Sequence, residues 1–268
     1  MAAKHKCGGE SDLAADGRCG TIAAVGPSVD VRLLDLLGDS KLFQGADRAV
    51  LAEAIACARE QRAAVEGAVF REGEPAEWLC IVVTGRLKLT QVGSDGAEVI
   101  LRFVGPGEAT AVLTVFDGAV YPATAWAEGG TRMLVWSRET MQALLRAHPV
   151  LALNALRLVS ERLREVQERF RELASERVAQ RIARALLRLV RQAGRKVEGG
   201  VLIDMPLSRR DLAAMTGTTL FTVSRVLSEW ESQGIIESGR ERVVIKRPHG
   251  LVALAEDLPP SRPNAERS

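Results

Sequence analysis

The sequence predicts an α+β chain in three consecutive parts: an N-terminal β-roll of jelly-roll type, a long dimerisation helix, and a C-terminal winged helix-turn-helix. Three observations carry this. Short apolar runs punctuated by glycine fill 65–136, apolar residues step at heptad spacing over 152–173, and a helix, glycine turn and helix followed by two short strand-like runs occupy 207–246. The expected division is a disordered tail over 1–28, the β-roll over 29–148, the dimerisation helix over 149–175, the winged helix over 176–257 and a second disordered tail over 258–268.

In the first part, 33–57 has helical patterning, with Leu34, Leu36 and Leu37, then Val50, Leu51, Ala54 and Ile55. Beyond it, Leu87 and Leu89, and then Val99, Leu101 and Phe103, alternate at period two, and Asp95-Gly96 marks a hairpin. Many short strands with glycine turns indicate a roll or sandwich rather than a parallel sheet.

In the second part, Ala152, Leu156, Val159, Leu163, Val166, Phe170 and Leu173 step by four and three alternately. Such a stripe requires a partner stripe, and a parallel two-fold coiled coil supplies it. The alternative is a helix packed on its own β-domain.

In the third part, Ser208 is placed to cap a first helix, with Asp211 three residues on, and Gly217 is expected at positive φ in the turn. On the second helix Leu220, Val223, Leu227 and Trp230 share one face at 100° per residue, and Thr218, Phe221, Thr222, Arg225 and Glu229 share the other. An outward face of hydroxyls and a guanidinium suits base edges and phosphates, and an exposed Phe suits a thymine methyl. Two short strands around a Ser238-Gly239 turn then form a wing in which Arg240, Arg242 and Lys246 meet phosphates. The expected DNA-contacting set is Ser208, Arg209, Thr218, Thr219, Phe221, Thr222, Ser224, Arg225, Arg240 and Arg242. Charge agrees: 176–250 holds 14 Lys/Arg against 8 Asp/Glu, while the whole chain carries only +2. A two-fold protein of this kind presents two recognition helices ~34 Å apart to an inverted repeat.

At 268 residues and 47% hydrophobic the chain can bury a core or two. It shows no apolar run of membrane-spanning length and no signal-peptide segment, so the expected place is the cytoplasm, with no membrane partner. Cys7, Cys19, Cys57 and Cys80 lack metal-site spacing and are expected as thiols. No two of His5, His148 and His249 share a motif, and no nucleophile–base pair or phosphate-cradling glycine loop occurs, so no metal and no enzymatic activity are expected.

The order of parts, together with Phe70-Arg71-Glu72-Gly73-Glu74-Pro75, Val83-Thr84-Gly85-Arg86-Leu87-Lys88-Leu89, Asp95-Gly96, Val104-Gly105-Pro106-Gly107-Glu108 and Thr222-Val223-Ser224-Arg225, resembles the cyclic-AMP receptor protein and fumarate–nitrate reductase regulator superfamily. The resemblance covers about 34–257. It implies a cyclic-nucleotide-binding-like β-roll and a homodimeric promoter-binding regulator, often an activator, that recruits RNA polymerase and answers a small signal.

Two departures bear on the signal. Ala111-Val112 stands where cyclic-nucleotide binders of the family carry Gly-Glu, and Tyr121-Pro122 stands where they carry an Arg. No cation lies between Arg102 and Arg132. An anionic phosphodiester requires one, so cyclic AMP in the family's usual manner is not expected. The iron–sulfur members' cysteine set is also missing, with Leu134 nearest the last ligand position. The Ala-Val and Tyr-Pro-Ala-Thr-Ala pattern resembles the branch with nitric-oxide-responsive regulators. The effector is therefore unassigned, with haem or another redox or gas signal open and a cyclic nucleotide as the alternative. Phe221 also departs from the family, where many members carry Glu.

Overall fold

A computed structural model describes residues 30–94, 96–117 and 120–258. The expected tails, with His5, Cys7 and Cys19, lie outside the described residues apart from Leu258, as does Asp95 of the Asp95-Gly96 hairpin. The chain divides into two compact units, one of 1–91 with 101–163 and one of 92–100 with 164–268.

The first unit opens on helix α1 (Val31–Asp39), whose N-cap Asp30 accepts from the Arg32 amide, and α2 (Arg48–Ala56). The β-roll follows as β1 (Arg59–Ala63), β2 (Ala68–Phe70), β3 (Trp78–Val92), β4 (Glu98–Val104), β5 (Ala109–Thr110), a short helix α3 (Thr114–Asp117) and β6 (Thr124–Ser137). The sheet runs β1-β6-β3-β4, with β2 beside β6 and β5 beside β3; β6 is antiparallel to β1, β2 and β3. The unbroken apolar run Leu79-Cys80-Ile81-Val82 is buried throughout because both faces of β3 are covered. Leu79 and Ile81 enter a core with Leu37, Phe43, Ile55 and Trp136, and Cys80 and Val82 a second core with Phe70, Leu87, Tyr121 and Met133. On β4 the expected alternation breaks at one end: Phe103 is buried, but Val99 is exposed and Ile100 is buried in its place.

Gly85 sits within the second of two register shifts in β3. Its φ is +80°, and a Cβ there would lie 2.8 Å from the Thr131 Cα and 2.9 Å from the Gly130 carbonyl oxygen. The Thr131 hydroxyl fills the approach, donating to the Arg86 carbonyl (3.0 Å) and accepting from the Arg86 amide (3.2 Å).

Helix α4 (Arg138–Ala147) is capped by Ser137, which accepts from the Thr140 amide, and leads to the 27-residue α5 (Pro149–Ser175). Leu151, Ala155 and Leu158 of α5 join the first core, and the Asn154 side-chain amide donates to the carbonyls of Leu42 (3.2 Å) and Gln44 (2.7 Å). The helix therefore does pack on its own domain, through a face that adjoins the heptad stripe. Of the stripe in this unit, Leu156 and Leu163 are exposed and Val159 is half-buried. Ala152 is half-buried against the first core, because the opening turns of α5 are wrapped by the helices and sheet beside them. In the second unit Val166, Phe170 and Leu173 are exposed, Phe170 at 73%.

That unit continues with α6 (Val178–Ala193), β7 (Gly194–Val197), β8 (Gly200–Ile203), α7 (Arg209–Thr216), α8 (Leu220–Ser232), β9 (Ile236–Gly239), β10 (Arg242–Ile245) and α9 (Pro248–Ala255). Its antiparallel sheet has the order β7-β8-β10-β9. Ile182, Leu186 and Leu189 of α6 are buried with Leu212, Val223, Leu227, Trp230 and Leu251.

Candidate nucleic-acid interface

Helix α7 begins as expected. The Ser208 hydroxyl accepts from the Asp211 amide (3.0 Å) and donates to its carboxylate (2.6 Å), while the Ser208 amide donates to the same carboxylate (3.0 Å), a reciprocal capping box. It ends at Gly217, φ +59°. Arg181 of α6 holds this end, donating through Nε to the Thr216 carbonyl (3.0 Å), so a fixed cation meets the negative end of α7. Helix α8 starts one residue after its N-cap Thr219, whose hydroxyl accepts from the Thr222 amide (3.2 Å) and lies 2.9 Å from the Thr222 hydroxyl.

The inner face of α8 is Val223, Val226, Leu227 and Trp230. Leu220 does not belong to it. As the first residue of the helix it projects past the core and is 48% exposed, and Val226 completes the buried face instead. The outer face carries Phe221 at 77% exposure and Arg225, also exposed, with Thr222 and Ser224 half-buried; Thr218, also half-buried, precedes the N-cap and lies outside the helix.

The wing is β9 and β10, but its turn is Arg240-Glu241 rather than Ser238-Gly239. Gly239 pairs with Arg242 in the ladder, and Glu241 in the turn has a positive φ of +55°. The shift puts Arg240 at the tip, exposed. Arg242 and Lys246 instead bind Glu237 on the neighbouring strand, at 3.3 and 3.5 Å. Arg209 donates to the Ser238 hydroxyl (3.3 Å), fastening α7 to the wing.

Between the start of α7, the start of α8 and the wing tip lies a cleft of about 440 Å³ lined by Ser208, Arg209, Arg210, Leu220, Gly239, Arg240 and Glu241. Three arginines line this cleft beside a helix N-terminus, an arrangement suited to a phosphate. The structure thus brings Ser208, Arg209, Arg240 and the start of α8 together. Arg210 was missed, although its place beside Arg209 was a legible signal. The β7–β8 hairpin, which extends the wing sheet, was missed as well. Gly194-Arg195-Lys196-Val197 has no apolar alternation, and only Glu198-Gly199-Gly200 hints at the turn.

Comparison with known proteins accords with this geometry. Residues 180–254 match the Crp-like helix-turn-helix domain, and residues 62–148 match the cyclic nucleotide-binding domain. The chain is 32% identical over 190 residues to the Cyclic AMP receptor protein of Thermus thermophilus, covering 71% of this chain and 83% of that one. This chain belongs to the CRP/FNR family of transcriptional regulators. Another member, the CRP-like cAMP-activated global transcriptional regulator of Mycobacterium tuberculosis, is 26% identical over 225 residues, 82% of this chain and 99% of that one. The solved structure of FixK2 from Bradyrhizobium japonicum superposes with a TM-score of 0.66 at 28% identity, over 74% of this chain and 96% of that one.

Within this CRP/FNR member, the β-roll positions that depart from the cyclic-nucleotide binders are filled by packing. Tyr121 is buried, stacked on Phe70 at 4.1 Å and edge-on to Trp78, and its hydroxyl donates to the Trp78 carbonyl (3.0 Å). Ala111 adopts φ +61° and is half-buried. Cys80 is fully buried, and burial pushes its thiol up to about 12, so it is held as a neutral core residue. His148 ends α4 and contacts Glu53 (3.0 Å), while His249 is exposed on α9. Neither joins the β-roll interior, so the described histidines do not fit an axial haem ligand there. Among the described residues no three His, Cys, Asp or Glu side chains gather to hold a metal ion, and no helix is long and apolar enough to cross a membrane.

Proposed function

We propose that this CRP/FNR regulator works as a homodimer zipped along α5, reads an inverted-repeat promoter site with two copies of α8, and answers a signal sensed in the β-roll other than cyclic AMP bound in the family's usual way. The observation that carries the dimer is the exposure of Leu156, Leu163, Val166, Phe170 and Leu173 on α5. Large apolar side chains recurring at heptad spacing and left in water call for a matching stripe, and a second copy supplies it.

On each half-site Arg225, Thr218, Thr222, Ser224 and Phe221 face the bases. Arg209, Arg210 and Arg240 hold phosphate, with Arg242 further along the wing. Ser208 and Thr219 act chiefly by capping their helices, since their hydroxyls are already engaged. Bound at promoters in the cytoplasm, the dimer contacts RNA polymerase. For the signal, Tyr121 fills its position with a neutral, buried ring, and no cation stands between Arg102 and Arg132 to receive a cyclic phosphate.

A gel shift of the full chain on a duplex selected from random sequence tests this reading. The expected complex has an inverted-repeat site and weakens steeply with salt, about a thousandfold or more between 50 and 200 mM for six to ten phosphate contacts. Calorimetry with cyclic AMP and cyclic-di-GMP is expected to show no binding. A chain that binds only another protein, and no duplex, overturns the reading.

A further inference from the structure

The recognition helix meets DNA with an apolar tip. Leu220 and Phe221 open α8 at 48% and 77% exposure, while the two hydroxyls beside them, on Thr219 and Thr222, are engaged with each other at 2.9 Å. Phe221 and Arg225 stand four residues apart, one above the other on the outer face. Leu220 also lines the cleft to which Arg209, Arg210 and Arg240 contribute. An exposed aromatic ring with an exposed arginine one turn along the helix, next to a residue that lines an arginine-bearing cleft, is well placed against a polyanion.

In the major groove the one apolar feature of a base edge is the 5-methyl group of thymine. Phe221 has no hydrogen-bonding atom and cannot discriminate donors from acceptors. What it offers is a ring face that loses water on contact with a methyl group.

We infer that Phe221, with Leu220 beside it, is a specificity residue that reads the 5-methyl group of a thymine in each half-site. This rests on the DNA-reading function proposed above and assigns one position of its site. Arg225, one turn on, reads or anchors the neighbouring position by hydrogen bonds, so the half-site combines one methyl-dependent and one hydrogen-bond-dependent position.

The test replaces each thymine of the selected duplex in turn by deoxyuridine, which keeps every hydrogen-bonding edge and lacks only the methyl group. Affinity of the full chain is read by fluorescence anisotropy. At one thymine per half-site the substitution is expected to weaken binding about fourfold, the equivalent of about 0.8 kcal/mol for one buried methyl group. Changing both half-sites should weaken it about fifteenfold. In Phe221→Ala the thymine–uracil difference at that position vanishes, and in Phe221→Leu, which keeps an apolar contact, part of it remains.

Equal affinity of the parent protein for thymine and uracil at every position overturns the inference while leaving the DNA-reading function intact. So does a discrimination that persists in Phe221→Ala. A changed oligomeric state of Phe221→Ala without DNA overturns it too, by assigning the ring to a protein contact. Failure of the parent protein to bind any selected duplex overturns the function beneath it.

Discussion

The carboxylate of Glu172, in the last turns of α5, lies 2.6 Å from the guanidinium of Arg188 on α6, with the acid side chain 7% exposed and the arginine 29%. One turn on, the Glu176 carboxylate accepts from Arg184 and Arg171, each at 3.0 Å. These pairs fix the joint at which the long helix gives way to α6. Removing one partner strands the other in a poorly hydrated place. Glu172→Gln is expected to lower the unfolding free energy by about 1–2 kcal/mol, and a double-mutant cycle with Arg188→Ala in urea should give a coupling above about 0.5 kcal/mol. Additive effects contradict the pairing.

Two glycines separate conformational strain from crowding. Gly73 and Gly85 both have φ near +80°, but a Cβ at Gly73 meets nothing within 4 Å, whereas at Gly85 it meets backbone atoms at 2.8 and 2.9 Å. Gly73→Ala should cost about 1 kcal/mol, the penalty for an L residue in that region. Gly85→Ala should cost at least about 2 kcal/mol more, because β3 and β6 must move apart. Thermal melts of the two variants measure the difference.

Arg225 and Arg210 are expected to fail differently. Arg225→Ala should lose about 1–3 kcal/mol on the selected site and relax preference at one position. Arg210→Ala should weaken specific and nonspecific duplexes alike and reduce the slope of log affinity against log salt by about 1. Titrations at several salt concentrations on both duplexes distinguish the two.

The buried Cys80 thiol makes stability fall at alkaline pH. Its folded-state value of about 12 lies above the ordinary thiol value, so the unfolded chain releases this proton first as pH rises. The contribution is complete below about pH 8 and is lost progressively up to about 12. Burial raises the Tyr121 phenol in the same direction. Between pH 8 and 10.5, Cys80→Ala should lose of the order of 2 kcal/mol less unfolding free energy than the parent protein, read by urea titration. A thiol reagent at pH 8 should modify the half-buried Cys57 and spare Cys80.

Much of this was legible in the chain, and the failures have physical causes. Ser208, Asp211 and Gly217 announce α7 because capping and left-handed turns are local chemistry that few residues perform. The α5 stripe is equally plain, since a heptad repeat needs no tertiary information. The wing turn was read two residues early because a glycine signals a turn only where the ladder leaves it free, and cross-strand pairing kept Gly239 in β9. The 100° spacing puts Leu220 on the core face, but a first-turn residue can overhang the core. Helix α9 is eight residues long, and its burial against α6 is a long-range fact. Which β-roll side chains fill the interior, Tyr121 above all, depends on β3 and β6 meeting across dozens of residues.

Sedimentation velocity of the full chain at micromolar concentration, beside Phe170→Glu, decides whether α5 zips two copies together. A dimer is expected for the parent chain and a monomer for the variant, because a carboxylate at that place in the stripe would be buried against its symmetry mate. A monomeric parent chain, or a dimer indifferent to the substitution, contradicts that expectation.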